Sequence, residues 1–327
     1  TFNVGLDAGF LDNSLTITAD YYIKHTTDIL MNLPIPGSVG ATSNPVMNAG
    51  AIFNRGVEIS AAYNRQAGKL TYGVNATFAA DRNKVDRLIG GLPLYGGQPT
   101  HHGSSTTTTR EGGSVGAFYL IKTDGIFNSQ EEIDAHRDKN GQLIQPNASP
   151  GDIRFVDANG DGMISDEDKQ LSGSAFPKFS YGLGFNAQWN GLDLALFFQG
   201  TQGNKIYNGL RMDMDGMNLE FNYSKATLNA WTPQNQSDFP RAVIDDPNYN
   251  TRVSDRFLEN GSYLRLRSLQ LGYTLPSAWL RKIGADGLRA YVSFDNLFTI
   301  TGYDGYNPDL GRTSSILDRG VAYGDEG

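Results

Sequence analysis

The sequence predicts an all-β protein, a segment of a transmembrane antiparallel β-barrel with long extracellular loops. Apolar and polar residues alternate with a period of two in eight segments of the 327-residue chain. This alternation is the pattern of a strand with one apolar and one polar face. Short and long connections alternate between the segments, as they do in outer-membrane barrels. The segments also approach the ~9–11 tilted residues with which a strand crosses a bilayer.

Composition excludes several classes of protein. The net charge of −8 argues against nucleic acid as a partner. Cysteine is absent from the sequence, so disulfides and thiol chemistry contribute nothing. No stretch approaches the ~18–20 apolar residues of a membrane helix. The sequence starts at Thr1 directly in the alternating pattern, without a signal peptide, and we therefore expect it to be a piece of a longer protein.

Two hairpins are predicted in the first part of the chain. In the first strand Phe2, Val4 and Leu6 alternate with polar or small residues. The alternating segments are 2–10, 15–24, 57–64 and 70–78, with turns at 11–14 and 65–69. A connection rich in Pro, Gly, Ser and Asn separates the two hairpins over about 31–53.

Two further hairpins are predicted in the second part. Asn190-Gly191 is a strong signal for a two-residue hairpin turn. The alternating segments are 180–189, 192–198, 255–275 and 288–294, with a short helical turn at 277–284.

The lengths of the connections predict which side of a membrane each one occupies. The short connections are 11–14, 65–69, 190–191 and 276–287, and the long ones are 31–53, 81–178, 203–253 and the residues after 299. Outer-membrane barrels have short periplasmic turns and long extracellular loops. Segment 81–178 is therefore predicted to be a long extracellular loop within a single barrel portion, 1–327. The apolar stretch 115–121 is then part of this loop and not a further spanning strand.

Residues 157–168 have the ligand spacing of an EF-hand-type calcium loop. The predicted Ca²⁺ ligands, at loop positions one, three, five, seven and twelve, are Asp157, Asn159, Asp161, the carbonyl of Met163, and Asp168. Gly162 at position six permits the sharp turn that the loop needs. Position twelve is usually a bidentate Glu, and Asp has a shorter reach.

The surroundings of this calcium loop favour a structural role for the metal. An extended run, 152–156, precedes the loop where a sensor would have a helix. A structural staple is therefore expected, and an acidic turn without metal is the alternative. The sequence leaves open whether Ser165 or Asp152 contributes to the calcium site.

No catalytic constellation emerges, so the protein is not expected to be an enzyme. The stretch 112–116 matches the G-x-S-x-G pattern but lacks the flanking strand and helix of a nucleophile elbow. Aromatic residues recur near the predicted strand ends, which indicates the interfacial girdles of a barrel. A secreted, calcium-stabilised β-sandwich that binds carbohydrate is the competing interpretation.

Several blocks of sequence resemble the SusC/RagA-type TonB-dependent outer-membrane transporters. The blocks are 48–58, 118–127, 152–168, 176–182, 197–200, 258–276 and 296–298, and they follow one another through nearly the whole chain. The resemblance implies a C-terminal portion, about eight strands, of a 22-stranded barrel.

The same resemblance implies a function and a set of partners. Transporters of this type import glycans or peptides across the outer membrane of Bacteroidota. The expected partners are a SusD-like surface lipoprotein, TonB through a part missing from this sequence, outer-membrane lipid, and an oligosaccharide or peptide substrate.

Overall fold

The computed structural model describes residues 1–32, 46–98, 104–218, 222–281, 284–310 and 315–323. Its strands are β1 (Phe2–Phe10), β2 (Leu15–Asn32), β3 (Val46–Ala67), β4 (Leu70–Leu88), β5 (Leu94–Gly96), β6 (Thr107–Thr109), β7 (Ala117–Leu120), β8 (Thr123–Ile126), β9 (Ile153–Phe155), β10 (Gln170–Ser174), β11 (Phe179–Trp189), β12 (Leu192–Gln202), β13 (Lys205–Asn208), β14 (Leu258–Asn260), β15 (Tyr263–Thr274), β16 (Arg289–Thr301) and β17 (Val321–Ala322). The helices are α1 (Gln130–Ala135), α2 (Gly209–Asp215) and α3 (Ser277–Leu280). No helix in the described ranges is long and apolar enough to cross a membrane.

Eight long strands form one antiparallel sheet, in the order β1-β2-β3-β4-β11-β12-β15-β16. The predicted all-β barrel segment is therefore confirmed, and all eight strands of the sheet were expected from the alternating pattern. The Asn190-Gly191 turn joins β11 to β12, with Trp189 opposite Leu192. Both turn residues have positive φ angles, 48° and 89°, as the tight hairpin requires.

Three strands are longer than predicted. β2, β3 and β4 have 18, 22 and 19 residues. They extend into the predicted connections 31–53 and 81–178, of which 33–45 and 99–103 lie outside the described residues. The sequence of these extensions does not alternate with a period of two, yet backbone pairing continues to Gly50 opposite Leu88.

The predicted strand 255–275 is shorter than expected. Residues 255–257 form a 3₁₀ turn, 258–260 pair in a different sheet as β14, and the long strand β15 begins at Tyr263. Asn260-Gly261-Ser262 lies at the break, and such residues favour a turn over a continuous strand.

The register places apolar side chains in rows that cross the entire sheet. One such row is Phe10, Leu15, Tyr63, Val74, Phe185, Leu196, Leu269 and Phe294. In β4 the apolar face runs from Leu70 to Ala80, which is about 33 Å of strand and about 25 Å of height at the tilt usual in barrels. This height equals the outward apolar band of a membrane barrel.

Polar and small residues occupy the opposite face. Gly73 lies between Asn64 and Asn186 on the neighbouring strands, and a Cβ atom at Gly73 would approach both side-chain oxygens within 2.4 Å. Arg289 and Asp193 form an ion pair on the same face. Small residues on this face therefore leave room for long polar side chains of adjacent strands.

A second compact unit is built from the long connections. This loop unit comprises Gly90–Ala175, Lys205–Asn260 and Tyr303–Gly327. It contains the sheets β10-β7-β6-β5, β14-β13-β17 and β8-β9. Its largest apolar cluster includes the buried side chains of Phe118, Leu120, Ala175, Tyr207, Met212, Val253, Phe257 and Val321.

The loop unit contains the apolar stretch 115–121, as the alternation of short and long connections predicts. Within this stretch, residues 117–120 form β7, which pairs with β6 and β10.

Candidate calcium loop and the polar network beside it

The predicted calcium loop follows β9 and ends in a 3₁₀ turn at Asp166–Asp168. Its backbone passes through the left-handed region at Gly160 (φ 74°) and Gly162 (φ 89°), where glycine is favoured. The hydroxyl of Ser165 caps the 3₁₀ turn by accepting the Glu167 N–H at 3.1 Å. The chain therefore makes the sharp turn that the sequence predicts at Gly162.

The predicted ligand side chains accept hydrogen bonds from the backbone of the loop itself. Asp157 accepts the N–H of Gly160 at 2.7 Å and that of Gly162 at 2.9 Å. Asp161 Oδ1 accepts the N–H of Met163 at 3.0 Å. These bonds hold the carboxylates on the inner side of the turn. A carboxylate oxygen that accepts one hydrogen bond retains a further lone pair.

Asp168 closes the loop. Its side chain is fully buried. One carboxylate oxygen accepts the N–H of Ala158 at 2.8 Å, and the other accepts the N–H of Ser165 at 2.7 Å. Position twelve is thereby tied to position two by direct hydrogen bonds.

The residues match calcium ligands in chemical type and order, and the backbone turns at Gly160 and Gly162 as such a loop requires. Ca²⁺ takes oxygen ligands from carboxylates, amides and backbone carbonyls. In the described part of the chain no three Asp, Glu, His or Cys side chains form a group that could hold a metal ion. The carboxylates of Asp157, Asp161 and Asp168, which all lie in the described part, are therefore not gathered into such a group. Asn159 and Asp161 also contact one another directly, Nδ2 to Oδ2 at 3.0 Å.

Asp152 is engaged away from the loop. Its buried carboxylate accepts Arg241 Nε at 2.7 Å and Nη2 at 3.1 Å. Asn250 Nδ2 and the N–H of Ser149 also donate to it, at 2.9 and 2.8 Å. The carboxylate of Asp152 is thus saturated by other partners, while Ser165 serves as the cap described above.

A buried amide network holds β9, the strand that leads into the loop. Gln145 Nε2 and Asn248 Nδ2 both donate to the carbonyl of Ile153, at 2.9 and 3.0 Å. Asn250 Oδ1 accepts the N–H of the same residue at 2.9 Å. Sequence reasoning missed this network because its members lie in aperiodic segments, where no local pattern identifies a buried amide.

Arg252 connects the amide network to the calcium loop. It donates to the carbonyl of Ile164 at 3.1 Å and to that of Asn248 at 3.1 Å. Its guanidinium lies 4.6 Å from the centre of the Phe155 ring. Burial lowers the pKa of Arg252, and the nearby Asp246 and Asp168 act in the opposite direction.

Lys169 anchors the end of the loop. Its ammonium group donates to the carbonyl of Ser105 at 2.8 Å and to the hydroxyl of Ser104, and it pairs with Asp166 at 3.2 Å. Burial lowers the pKa of Lys169. Side-chain contacts therefore hold the predicted calcium loop at its Lys169 end.

The G-x-S-x-G stretch has no surroundings of a nucleophile elbow. Residues 111–116 form turns between β6 and β7, and the hydroxyl of Ser114 lies 3.3 Å from that of Ser174. The stretch therefore connects two strands, whereas a nucleophile elbow connects a strand to a helix.

A groove of about 460 Å³ lies on the large sheet. It is lined by Asp20, Glu58, Ser60, Thr77, Gln199 and Thr201, among others. Asp20 and Glu58 are direct cross-strand neighbours. The groove is therefore acidic on its β2–β3 side, and aromatic residues such as Phe197 and Tyr263 also line it.

Comparison with known proteins identifies the family to which this chain is similar. The model of the TonB dependent receptor-like, beta-barrel family matches residues 1–297. TonB-dependent receptor P3 of Formosa agariphila is 31% identical over 311 residues, which cover 94% of this chain and 30% of the relative. TonB-dependent receptor SusC of Bacteroides thetaiotaomicron is 24% identical over 319 residues, covering 95% of this chain and 29% of SusC.

Solved structures agree with this result. The structure of the RagAB peptide transporter matches with a TM-score of 0.75 and 25% identity, over 98% of this chain and 33% of that one. The chain spans about a third of the length of the relatives it matches. Together with the eight-stranded sheet and its apolar face, these matches show that the chain belongs to the TonB-dependent receptor β-barrel family, of the SusC/RagA type.

Proposed function

We propose that this chain forms part of the wall and the extracellular loops of a transporter that takes up a nutrient across the bacterial outer membrane. The observation that carries the proposal is the exposed apolar face of the large sheet. Val4, Leu183 and Leu271 on this face are 54%, 45% and 48% exposed. A closed antiparallel barrel satisfies its backbone groups in lipid, and its outward face must then be apolar.

The exposed face also weighs against a secreted β-sandwich. In a sandwich the apolar faces of two sheets pack against each other and are buried. The apolar rows of this sheet are exposed or half-buried instead, and outer-membrane lipid is the partner that suits them.

The proposed substrate is an oligosaccharide or a peptide. The RagAB structure is that of a peptide transporter, and the resemblance to the SusC type supports glycans equally. The acidic groove on the large sheet offers hydroxyl, amide and carboxylate groups to a hydrated solute. A SusD-like surface lipoprotein and TonB are the proposed protein partners of the complete transporter.

Deletion of the gene in its own organism tests the proposed uptake. The deletion strain should lose growth on one class of oligosaccharide or peptide as the carbon source, and the wild-type gene on a plasmid should restore growth. A strain without TonB should show the same loss. Undiminished uptake of every tested oligosaccharide and peptide by the deletion strain would contradict the proposal.

A second proposal concerns the loop 157–168, which we infer to bind Ca²⁺ as a structural brace. Asp157, Asn159, Asp161, the Met163 carbonyl and Asp168 would hold the ion. The support is the order of oxygen donors and the left-handed turn at Gly162. The bound ion would neutralise the carboxylates of Asp157, Asp161 and Asp168.

Calcium titration of matched variants tests the brace. Asp157→Asn removes one ligand charge and should weaken Ca²⁺ binding about tenfold or more. Glu167→Gln removes the same charge from an exposed position that is not a ligand, and should leave the affinity unchanged. Calorimetry measures both affinities, and proteolysis with and without chelator measures protection. Equal affinities in the two variants, or equal protection with chelator, would exclude the brace.

A further inference from the structure

We propose that Arg55, Arg82 and Lys84 form a binding site for the phosphate of an anionic lipid headgroup in the outer leaflet. The three cations lie on β3 and β4, just beyond the apolar band of the large sheet. The site depends on the membrane placement of the barrel and not on the transported substrate.

The strand register puts the three cations on the outward face. Val57 pairs with Ala80 in the last apolar row of β3 and β4. Two residues further, Arg55 pairs directly with Arg82. After two more, Phe53 pairs with Lys84. Because side chains point to the same face at every second residue, these cations face the same side as the apolar rows.

The cations lack a neutralising carboxylate. All three side chains are exposed, and none makes an ion pair within the ranges that the structure describes. Arg82 donates to the backbone carbonyls of Asp81 and Lys178, at 2.8 and 2.9 Å. Like charges directly opposite on adjacent strands are unfavourable, with Cβ atoms ~5 Å apart. An anion bound beside Arg55 and Arg82 would relieve this repulsion.

The acidic residues closest in sequence do not form ion pairs with these three cations. Asp81 adjoins Arg82, and Glu58 adjoins Val57. Because successive side chains of a strand point to opposite faces, both carboxylates lie on the polar face. Asp86, the next outward residue of β4 after Lys84, pairs with His25 on β2 at 3.2 Å. The face therefore presents three cations, and the contact between His25 and Asp86 lies beyond them.

The position favours a lipid phosphate. The site lies at the end of the strands that leads into the long connections, which is the extracellular end in barrels of this kind. It continues directly from Val57 and Ala80, against which an acyl chain can lie. Arginine guanidinium groups bind phosphate through paired N–H donors, which suits a headgroup at this level.

The opposite end of β3 provides a matched control. Arg65 also faces outward, beyond Tyr63, but at the end with the short turns. It donates to the hydroxyl of Tyr63 at 3.2 Å, and its cross-strand partner is Tyr72, which is not a cation.

Quenching of a tryptophan at the site tests the proposal in the full-length receptor. Phe53→Trp places an indole opposite Lys84, in the row next to Arg55 and Arg82, and lipids with brominated acyl chains quench it on contact. Brominated phosphatidylglycerol should quench at lower concentration than brominated phosphatidylcholine. Adding Arg55→Gln and Arg82→Gln should weaken phosphatidylglycerol binding about fivefold per charge, whereas Arg65→Gln should leave it unchanged.

Three results would overturn the proposal. They are equal quenching by the two lipids, unchanged quenching in the double variant, and equal weakening by Arg65→Gln. Displacement of the lipid by millimolar glycerol phosphate would show a site for free phosphate and would also overturn it. If the double variant does not assemble, each single variant gives the same test with a loss of about fivefold.

Discussion

Arg241 holds Asp152 through two hydrogen bonds, 2.7 and 3.1 Å long, and so joins two connections whose residues are 89 positions apart. Asp152 is completely buried, while Arg241 retains some exposure. The pair lies beside the amide network that holds β9. Long-range polar contacts, together with the apolar cluster around Phe118, therefore stabilise the loop unit.

Removal of this pair should loosen the loop unit. Asp152→Asn leaves the guanidinium of Arg241 without its counter-charge, and we expect a loss of about 3 kcal/mol. Hydrogen exchange of the peptides around β9 measures the loss. Asp124→Asn breaks an exposed ion pair with Arg154 and should cost less than about 1 kcal/mol. Equal protection in both variants would contradict a dominant role for the buried pair.

The turn between β11 and β12 should tolerate little change. Gly191→Ala adds a Cβ atom 2.6 Å from the carbonyl oxygen of Thr274, at a φ of 89°. We expect a loss of more than about 1 kcal/mol and a lower yield of folded protein in the outer membrane. Gly287→Ala is the control, because nothing lies within 4 Å of its added Cβ atom. The heat-modifiable mobility of the folded barrel in gels gives the yield.

An added charge should destabilise the barrel on one face of β11 and be tolerated on the other. Leu183→Arg places a cation on the outward apolar face and should cost about 2–4 kcal/mol near the bilayer centre. Asn186→Arg places the same charge on the polar face and should be tolerated. Unfolding in denaturant from lipid vesicles gives both values, and similar costs would refute the assignment of the faces.

Acid should destabilise the loop unit through His136. Burial, with a contribution from Arg154, lowers the pKa of His136 from its ordinary value near 6.5. Its Nε2 is buried without a hydrogen-bond partner in the described structure. The unfolded chain therefore binds a proton at a higher pH than the folded one, and stability falls as the pH drops below about 6.5.

Replacement of this histidine tests the origin of the acid effect. His136→Phe should flatten the stability of the loop unit between pH 5 and 7, as hydrogen exchange of the peptides around α1 would measure. Arg154→Gln removes one of the causes of the shift and should reduce the pH dependence partly. An unchanged pH profile in His136→Phe would assign the acid effect to other groups.

The local sequence pattern was sufficient to predict the strands that cross the apolar band. Alternation with a period of two identifies a strand and the two faces together, since both follow from the pleat of the backbone. The turn at Asn190-Gly191 was predictable for a similar reason, because its residues tolerate positive φ. The extensions of β2, β3 and β4 were not, because their pairing depends on neighbours rather than on their own pattern.

Some features of the candidate calcium site were likewise predictable from local sequence, and others depended on tertiary contacts. The sequence by itself determined the order of oxygen donors in 157–168 and the turn at Gly162, because ligand spacing and φ preference are local. Tertiary structure decided that Asp168 is buried and tied to Ala158, and that Asp152 belongs to Arg241. It also placed Arg55 directly opposite Arg82 on the neighbouring strand, since cross-strand register is a property of the folded sheet. Partners so distant in the chain become neighbours only when the strands and loops have folded.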